Sequence, residues 1–282
     1  MIAFYGMGLL GSNFVRALLA RGERVQVWNR SPERARALEV EGARAFEDPA
    51  DAARGAERVH LTLSDDAAVD AVLERAAGGF GPGALVVDHT TTSAEGAAAR
   101  HERWRARGVE FLHAPVFMGP QNAREGTGIM LASGDEGRFE RAKPALMPMT
   151  GKLVYLGPDP GRAAAFKLFG NLFLMAMSAG VADVLALAKA HGVSAAEAAS
   201  LFDHFNPASM LPARARRMVE GEFANASWEL AMARKDARLM LEAAERGGAA
   251  LMTTPAIARR MDEFIERGHA HDDWLVISKD AL

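Results

Sequence analysis

Short apolar runs alternate with helical patterns along the first half of the chain. The runs predict strands, and several are apolar throughout, as strands covered on both faces should be. They are Ile2–Tyr5, Val25–Trp28, Val59–Ser64, Ala84–Asp88, Val109–Val116, Gly128–Ser133 and Leu153–Leu156. Segments rich in Ala, Arg and Glu with helical spacing separate the early runs. This alternation predicts parallel βαβ units and therefore a doubly wound α/β sheet.

The pattern changes at residues 157–161, which read Gly-Pro-Asp-Pro-Gly. Strand patterns stop there, and a long helical pattern follows from Arg162 to about His191. Further helices are expected at Ser194–His204, Trp228–Arg246 and Thr254–Arg267. A length of 282 residues also favours two domains. We therefore predict a dinucleotide-binding domain at 1–158 and an all-helical domain at 159–282.

The segment Ala163–Ala190 is long and apolar enough to be tested as a membrane span. Polar residues interrupt it at Lys167, Asn171, Asp183 and Lys189. Charges at membrane depth are costly, so we predict a buried helix and no membrane partner. No basic and apolar leader precedes the first predicted strand at Ile2, which favours a cytoplasmic protein.

Composition narrows the chemistry. The net charge of -3 gives no electrostatic case for a nucleic-acid partner. The chain has no cysteine, which excludes disulfides, thiolate nucleophiles and cysteine-ligated metals. His269 and His271 lie beside two aspartates, but a solvated helix end explains them better than a metal site. We therefore expect no metal.

A glycine-rich loop follows the first predicted strand. It reads Gly6-Met7-Gly8-Leu9-Leu10-Gly11, which is GxGxxG between a strand and a helix. Gly6 permits a tight turn, Gly8 lets the backbone approach a pyrophosphate, and Gly11 lets the helix pack on the strand. The helix N-terminus then offers free N–H groups to the phosphates. A dinucleotide site is expected here.

The second predicted strand ends in Asn29-Arg30-Ser31. Enzymes that use NAD usually carry Asp or Glu at this position, where it binds the ribose 2′-hydroxyl. Arg30 can instead pair with a 2′-phosphate, and Ser31 adds a hydroxyl donor. Ser31 could also cap the helix that begins at Pro32. We predict NADP(H) as the cofactor.

Lys167 opens an apolar helical segment, and Asn171 lies four residues later on the same helix face. An ammonium near a carbonyl oxygen can stabilise the negative charge that grows during hydride transfer and can deliver the proton. In the oxidative direction the same lysine must be neutral, and burial lowers its pKa toward that state. A lone helical lysine is more often a surface residue.

These motifs together resemble the β-hydroxyacid dehydrogenase family, which includes 3-hydroxyisobutyrate dehydrogenases and glyoxylate/succinic semialdehyde reductases. The resemblance covers essentially the whole chain. Besides the loop, Asn29-Arg30-Ser31 and Lys167, its segments are Val87–Thr92, Ala114–Val116, Gly126–Met130, Leu168–Asn171 and Lys235-Asp236. It implies a Rossmann domain, a long interdomain helix and a helical C-terminal domain, commonly in dimers or tetramers.

The resemblance also assigns roles. Lys167 matches the catalytic lysine of the family and Asn171 its substrate-orienting asparagine. Thr91 matches a cofactor-contacting threonine. Leu63 and Ser64 match the strand end under the cofactor, and Lys235 matches a lysine that closes over cofactor and substrate. Without the resemblance, each of these last four residues would be interpreted as a packing, turn or surface residue.

One segment departs from the family. Relatives carry Ser-Gly-Gly where this chain has Phe117-Met118-Gly119. The serine hydroxyl and first glycine cradle the substrate carboxylate in relatives, so short hydroxyacids become doubtful substrates. Gln121 and Asn122 could supply replacement amide donors.

The sequence therefore predicts an NADP(H)-dependent oxidoreductase that acts on a carbonyl/alcohol pair, with Lys167 as the general acid/base. The alternatives are an imine reductase on the same scaffold, which generally lacks the lysine, and a non-catalytic NADP(H)-binding regulator, which does not need it. Apolar residues such as Leu172–Met177 and Leu239–Leu241 exceed what one small helical domain can cover. A homodimer or homotetramer is therefore expected.

Overall fold

The computed structural model describes residues 1–282. It divides into two compact units, Met1–Asn171 and Leu172–Leu282. The strands are β1 (Ile2–Tyr5), β2 (Val25–Trp28), β3 (Arg44–Phe46), β4 (Arg58–Leu61), β5 (Leu85–Asp88), β6 (Glu110–His113), β7 (Val116–Phe117), β8 (Ile129–Ala132) and β9 (Lys152–Tyr155). The helices are α1 (Leu9–Ala20), α2 (Pro32–Arg36), α3 (Pro49–Ala53), α4 (Asp66–Ala76), α5 (Ala94–Ala106), α6 (Pro120–Glu125), α7 (Glu136–Leu146), α8 (Arg162–Ala190), α9 (Ala195–Ala199), α10 (Leu201–His204), α11 (Leu211–Glu220), α12 (Leu230–Arg246) and α13 (Thr254–Glu266).

The first unit is built on a parallel sheet in the order β3-β2-β1-β4-β5-β6. Its central strand β1 is buried on both faces: Ile2 and Phe4 belong to one core, and Ala3 and Tyr5 belong to the other. The strand order reverses between β1 and β4, which is where a doubly wound sheet opens a crevice for ligands. The predicted Rossmann fold is confirmed.

Two predictions about strands need correction. The run Val109–Val116 is not one strand, because β6 ends at His113 and β7 begins at Val116 in a separate three-stranded sheet. Pro115 lies between them and has no N–H to continue the ladder. β3 was missed, since it is a three-residue edge strand whose side chains are only partly buried.

The second unit is helical. Its core forms where α12, α13 and a 3₁₀ helix at Trp274–Ala281 pack together, around Leu230, Phe264 and Val276. The helix α11 was not predicted from the sequence.

Asp183 is a carboxylate within the apolar helix α8, and hydrogen bonds to the start of α13 accommodate it. It is buried, and it accepts hydrogen bonds from the backbone N–H groups of Met252, Thr253 and Thr254. Burial raises its pKa, but these hydrogen bonds and that of the Thr253 hydroxyl outweigh burial and bring the pKa to about 2. The carboxylate thereby satisfies the free N–H groups at the start of α13.

The predicted burial of the long helix is wrong for this chain. Leu172 and Met175 on α8 are 73% and 71% exposed. By length and apolar composition, α8 is also the one helix of the chain that could cross a membrane. The core of the second unit is made by other elements, so much of the apolar surface of α8 is left without cover.

Candidate cofactor and catalytic site

The glycine loop between β1 and α1 has the geometry that its sequence requires. Gly6 has a φ of +92°, and a Cβ there would lie 2.1 Å from the carbonyl oxygen of Thr62. A Cβ on Gly11 would lie 1.9 Å from the carbonyl oxygen of Gly6, whereas a Cβ on Gly8 would meet open space. Two glycines are therefore needed for packing, and the third leaves one side of the loop free for a ligand.

Asn29 ties this loop to the end of β2. Its Oδ1 accepts a hydrogen bond of 2.8 Å from the Met7 N–H, and its Nδ2 donates to the carbonyl of Ser31 at 2.9 Å. α1 begins directly after Gly8, and no side chain caps its first turn. The N–H groups of Leu9 and Leu10 are thus free of a capping side chain at the positive end of the helix dipole.

A cavity of about 480 Å³ opens beside the loop. Of the predicted cofactor residues, it is lined by Gly6, Gly8, Asn29, Arg30, Ser31, Leu63 and Ser64. Arg34 and Arg75 also line it, and the sequence analysis named neither. Arg34 lies on α2, directly after Asn29-Arg30-Ser31, so its nearness in the sequence could have revealed it. Arg75 comes from α4, and only the fold brings it here.

A second cavity of about 330 Å³ continues along the same edge of the sheet. The predicted residues lining it are Gly8, Leu9, Leu10, Gly11, Leu63, Ser64 and Thr91. Gly8, Leu63 and Ser64 line both cavities. The two cavities together cover the ends of β1, β2, β4 and β5, which fits an extended dinucleotide. The open face of Gly8, the uncapped turn of α1 and the arginines provide what its phosphates need.

Lys167 and Asn171 meet on α8 as their spacing predicts. The Lys167 ammonium donates a hydrogen bond of 3.0 Å to Asn171 Oδ1 and lies 4.3 Å from the centre of the Phe117 ring. Burial lowers the pKa of Lys167 below its ordinary value of 10.5, and no charged neighbour contributes to the change. Only six of the 33 basic residues are lysines.

In the segment after β6, most N–H donors that could bind an anion already donate to groups within the protein. Gly119 N–H donates to Asn122 Oδ1 at 2.9 Å, and Asn122 Nδ2 donates to Thr127. The Gln121 amide donates to Glu125. These groups already hold intramolecular partners, and Phe117 and Met118 offer no polar side-chain donor.

Lys235 belongs to the second unit. It lies on α12, where its ammonium pairs with Asp236 Oδ1 at 2.7 Å. No group of three or more His, Asp or Glu side chains has an arrangement that could hold a metal ion.

Two family models match the chain. One, described as the NAD binding domain of 6-phosphogluconate dehydrogenase, matches residues 1–157, more than half of the sequence. The other, described as the C-terminal domain of NADPH-dependent reductive aminase-like proteins, matches residues 159–281.

Individual relatives point the same way. The cytokine-like nuclear factor N-PAC of Homo sapiens is 30% identical over 96% of this chain, and the chain spans 49%, about half, of its length. The uncharacterized oxidoreductase YfjR of Bacillus subtilis (strain 168) is 25% identical, over 99% of this chain and 98% of its own. The solved imine reductase of Streptomyces aurantiacus is 26% identical with a TM-score of 0.90, covering 100% of this chain and 99% of that one.

The expected resemblance to β-hydroxyacid dehydrogenases is thus confirmed at the level of the family. The chain belongs to the oxidoreductase family that carries the NAD binding domain of 6-phosphogluconate dehydrogenase.

Proposed function

We propose that the chain is an NADP(H)-dependent oxidoreductase that transfers hydride between nicotinamide and a carbonyl/alcohol pair. The observation that carries this proposal is the half-buried Lys167, hydrogen-bonded to Asn171 and without a charged partner. It contacts Phe117, which follows the carboxyl end of β6. The loop of Gly6–Gly11 follows the carboxyl end of β1, and carboxyl ends of parallel strands meet at one edge of a sheet.

The arginines of the first cavity support NADP(H) over NAD(H). No carboxylate stands at the end of β2, and Arg30, Arg34 and Arg75 would hold a 2′-phosphate there. The description of the matching C-terminal model as NADPH-dependent agrees with this choice.

Lys167 acts as the general acid/base in this proposal. The bound cofactor supplies or accepts hydride at nicotinamide C4. In reduction, the Lys167 ammonium donates a hydrogen bond to the carbonyl oxygen, transfers its proton as the C–H bond forms, and is protonated again from water. Asn171 Oδ1 accepts a hydrogen bond from the same ammonium and holds it in place. In oxidation the neutral amine accepts the alcohol proton, and its lowered pKa favours that state.

The substrate class follows from the segment after β6. Burying a carboxylate beside Phe117 and Met118 without donors is costly. The amides of Gln121 and Asn122 are engaged within the protein. We therefore propose an aldehyde or ketone with apolar substituents rather than a short hydroxyacid.

Imine reduction is the second candidate. The match of residues 159–281 to a reductive aminase-like domain and the likeness to an imine reductase structure favour it. Lys167 favours the carbonyl reaction, because hydride transfer to a preformed iminium carbon needs no acid at the product nitrogen. A non-catalytic NADP(H)-binding regulator would need the glycine loop but neither Lys167 nor Asn171.

A substrate panel tests the proposal. NADPH oxidation by the purified chain is measured with apolar ketones and aldehydes, with glyoxylate and succinic semialdehyde, with cyclic imines, and with a ketone plus an amine. We expect the highest kcat/KM for apolar carbonyls. Turnover of imines alone would favour the second candidate, and tight NADPH binding without turnover of any substrate would favour the regulator.

A further inference from the structure

Phe117 lies against the backbone of α8 at Gly170. A Cβ at position 170 would be 2.3 Å from Phe117 Cζ and 2.5 Å from its Cε1, distances that carbon atoms cannot tolerate. The ring occupies the space that any other side chain at 170 would fill. The glycine therefore serves as a seat for this ring.

The contact with Gly170 places the Phe117 ring beside the Lys167 ammonium. Lys167 precedes Gly170 by three residues, so both face the same side of the helix. The ammonium lies 4.3 Å from the ring centre, within the distance at which an aromatic face attracts a cation, and Asn171 accepts its hydrogen bond at 3.0 Å. The ammonium is thus fixed by one amide oxygen and one ring face.

The ring affects the lysine in two opposing ways. It covers the side chain, and burial disfavours the ammonium. Its negative face favours the ammonium. The cation–π contact therefore keeps the lysine protonated in a site where burial alone would leave less of it in the ammonium form.

We propose that Phe117 is a positioning residue for Lys167: seated on Gly170, its ring holds the ammonium beside Asn171 in its proton-donating state. The inference rests on the proposed role of Lys167 as the acid. It gives Phe117 a task besides shaping the substrate pocket, which would explain why an aromatic residue here occurs together with a glycine at 170.

The first test is the pH titration of the Lys167 side chain by NMR in the cofactor-free protein. The chain has six lysines, so comparison with Lys167→Ala assigns the signal. Phe117→Leu keeps apolar cover but removes the ring face, and we expect the midpoint to fall by about half a pH unit or more. A ring-fluorinated phenylalanine at 117 keeps the shape, weakens the negative face and should move the midpoint in the same direction. The alkaline limb of the reductive kcat/KM profile should move with it.

The second test is a double-mutant cycle on kcat. Gly170→Ala displaces the ring and should lower kcat by roughly tenfold, whereas the same change should do little in the Phe117→Leu background. Gly78→Ala is the control, because its added Cβ meets open space and it lies outside the helices proposed to form the assembly interface.

An unchanged NMR midpoint in both Phe117 variants would overturn the inference, as would additive effects in the cycle. The midpoint is independent of turnover, so it separates this inference from the proposed function. Full turnover of Lys167→Ala would remove the acid role even where the midpoint had shifted.

Discussion

At the scale of single residues, the three residues that follow β2, Asn29, Arg30 and Ser31, have different roles. Asn29 ties the glycine loop to the strand through hydrogen bonds, so its side chain is committed to structure. Arg30 and Ser31 line the first cavity, where Arg34 and Arg75 join them. Arg75 also lies 5.5 Å from the centre of the Trp28 ring, which holds its guanidinium near the cavity wall. The cofactor preference should therefore depend on arginine rather than on Asn29.

Arg30→Ala should remove most of a preference for NADPH. In the unmodified protein we expect NADPH to bind at least roughly tenfold tighter than NADH, since a hydrogen bond to a charged group contributes about 1.5–3 kcal/mol. Calorimetric titration of both cofactors measures this. Arg36→Ala is the matched control, because Arg36 lies six residues after Arg30, on α2, and pairs with Glu47 instead of lining the first cavity. Equal dissociation constants for the two cofactors in the unmodified protein would contradict the prediction.

The sequence predicts those site residues that belong to a motif with characteristic spacing. It does not predict those that reach the site only through tertiary contacts. The glycine loop and the pair of Lys167 and Asn171 have characteristic spacing, so both could be found before the fold was known. Arg75 could not, because only the fold brings its guanidinium near the Trp28 ring and into the wall of the cavity. The contact between Phe117 and Gly170 could not be predicted either, since the two positions are 53 residues apart in the sequence.

At the scale of elements, three adjacent strands each contribute a buried histidine. His60 lies on β4, His89 directly follows β5, and His113 ends β6. His60 Nδ1 and His89 Nε2 are 2.9 Å apart, so the two rings share one proton between these atoms. Burial lowers the pKa of all three: those of His89 and His113 move from 6.5 to about 4, and that of His60 falls well below 6.5.

These histidines should make the first unit sensitive to acid. Between about pH 6.5 and 4 they stay neutral in the folded state and are protonated in the unfolded state, so stability falls as the pH falls. Asp88 acts in the opposite direction, because burial raises its pKa to about 7 and the folded state then holds an extra proton. Three histidines against one aspartate leave a net loss of up to about 3 kcal/mol per pH unit.

Hydrogen exchange of the β4–β6 amides at several pH values measures this slope. His60→Phe should reduce it by about 1.4 kcal/mol per pH unit, since one titrating group is removed. His271→Asn, at a side chain that is 88% exposed, should leave it unchanged. An equal slope in the unmodified protein and in His60→Phe would show that these buried rings do not govern acid stability.

Element boundaries were predicted well where the apolar pattern is strong, and poorly where a single residue ends a strand. β1 and β2 match their predicted bounds because every residue of both strands is buried. Pro115 broke a continuous apolar run, and β3 is too short and too exposed to give a pattern. The burial of α8 was misjudged because apolar composition does not say which surface will cover a helix.

At the scale of the whole molecule, the uncovered apolar surface of α8 has a consequence for assembly. Leu172 and Met175 are among its most exposed large side chains. A contiguous exposed apolar face of this kind is typical of a protein–protein interface. We therefore expect a homodimer or homotetramer formed through the helices after residue 161.

Light scattering at micromolar concentration tests this expectation. The unmodified protein should have at least twice the monomer mass, and Leu172→Glu with Met175→Glu should shift it toward the monomer, because two charges would then be buried in the interface. Val40→Glu is the control, since Val40 is 92% exposed and lies in the first unit. A monomeric unmodified protein would count against the proposed interface.

The central claim is that Lys167 supplies the proton for hydride transfer, and its removal tests that claim most directly. The measurement is NADPH-dependent turnover of the best carbonyl substrate by the unmodified protein and by Lys167→Ala, with the NADPH dissociation constant determined for both. We expect turnover to fall by roughly 10²-fold or more while NADPH binding stays nearly unchanged, since a general acid contributes on that scale. In the unmodified protein, reductive activity should decline as the pH rises through the lowered pKa of Lys167, because the acid is then neutral. Turnover retained in Lys167→Ala, with the same pH profile, would contradict the account.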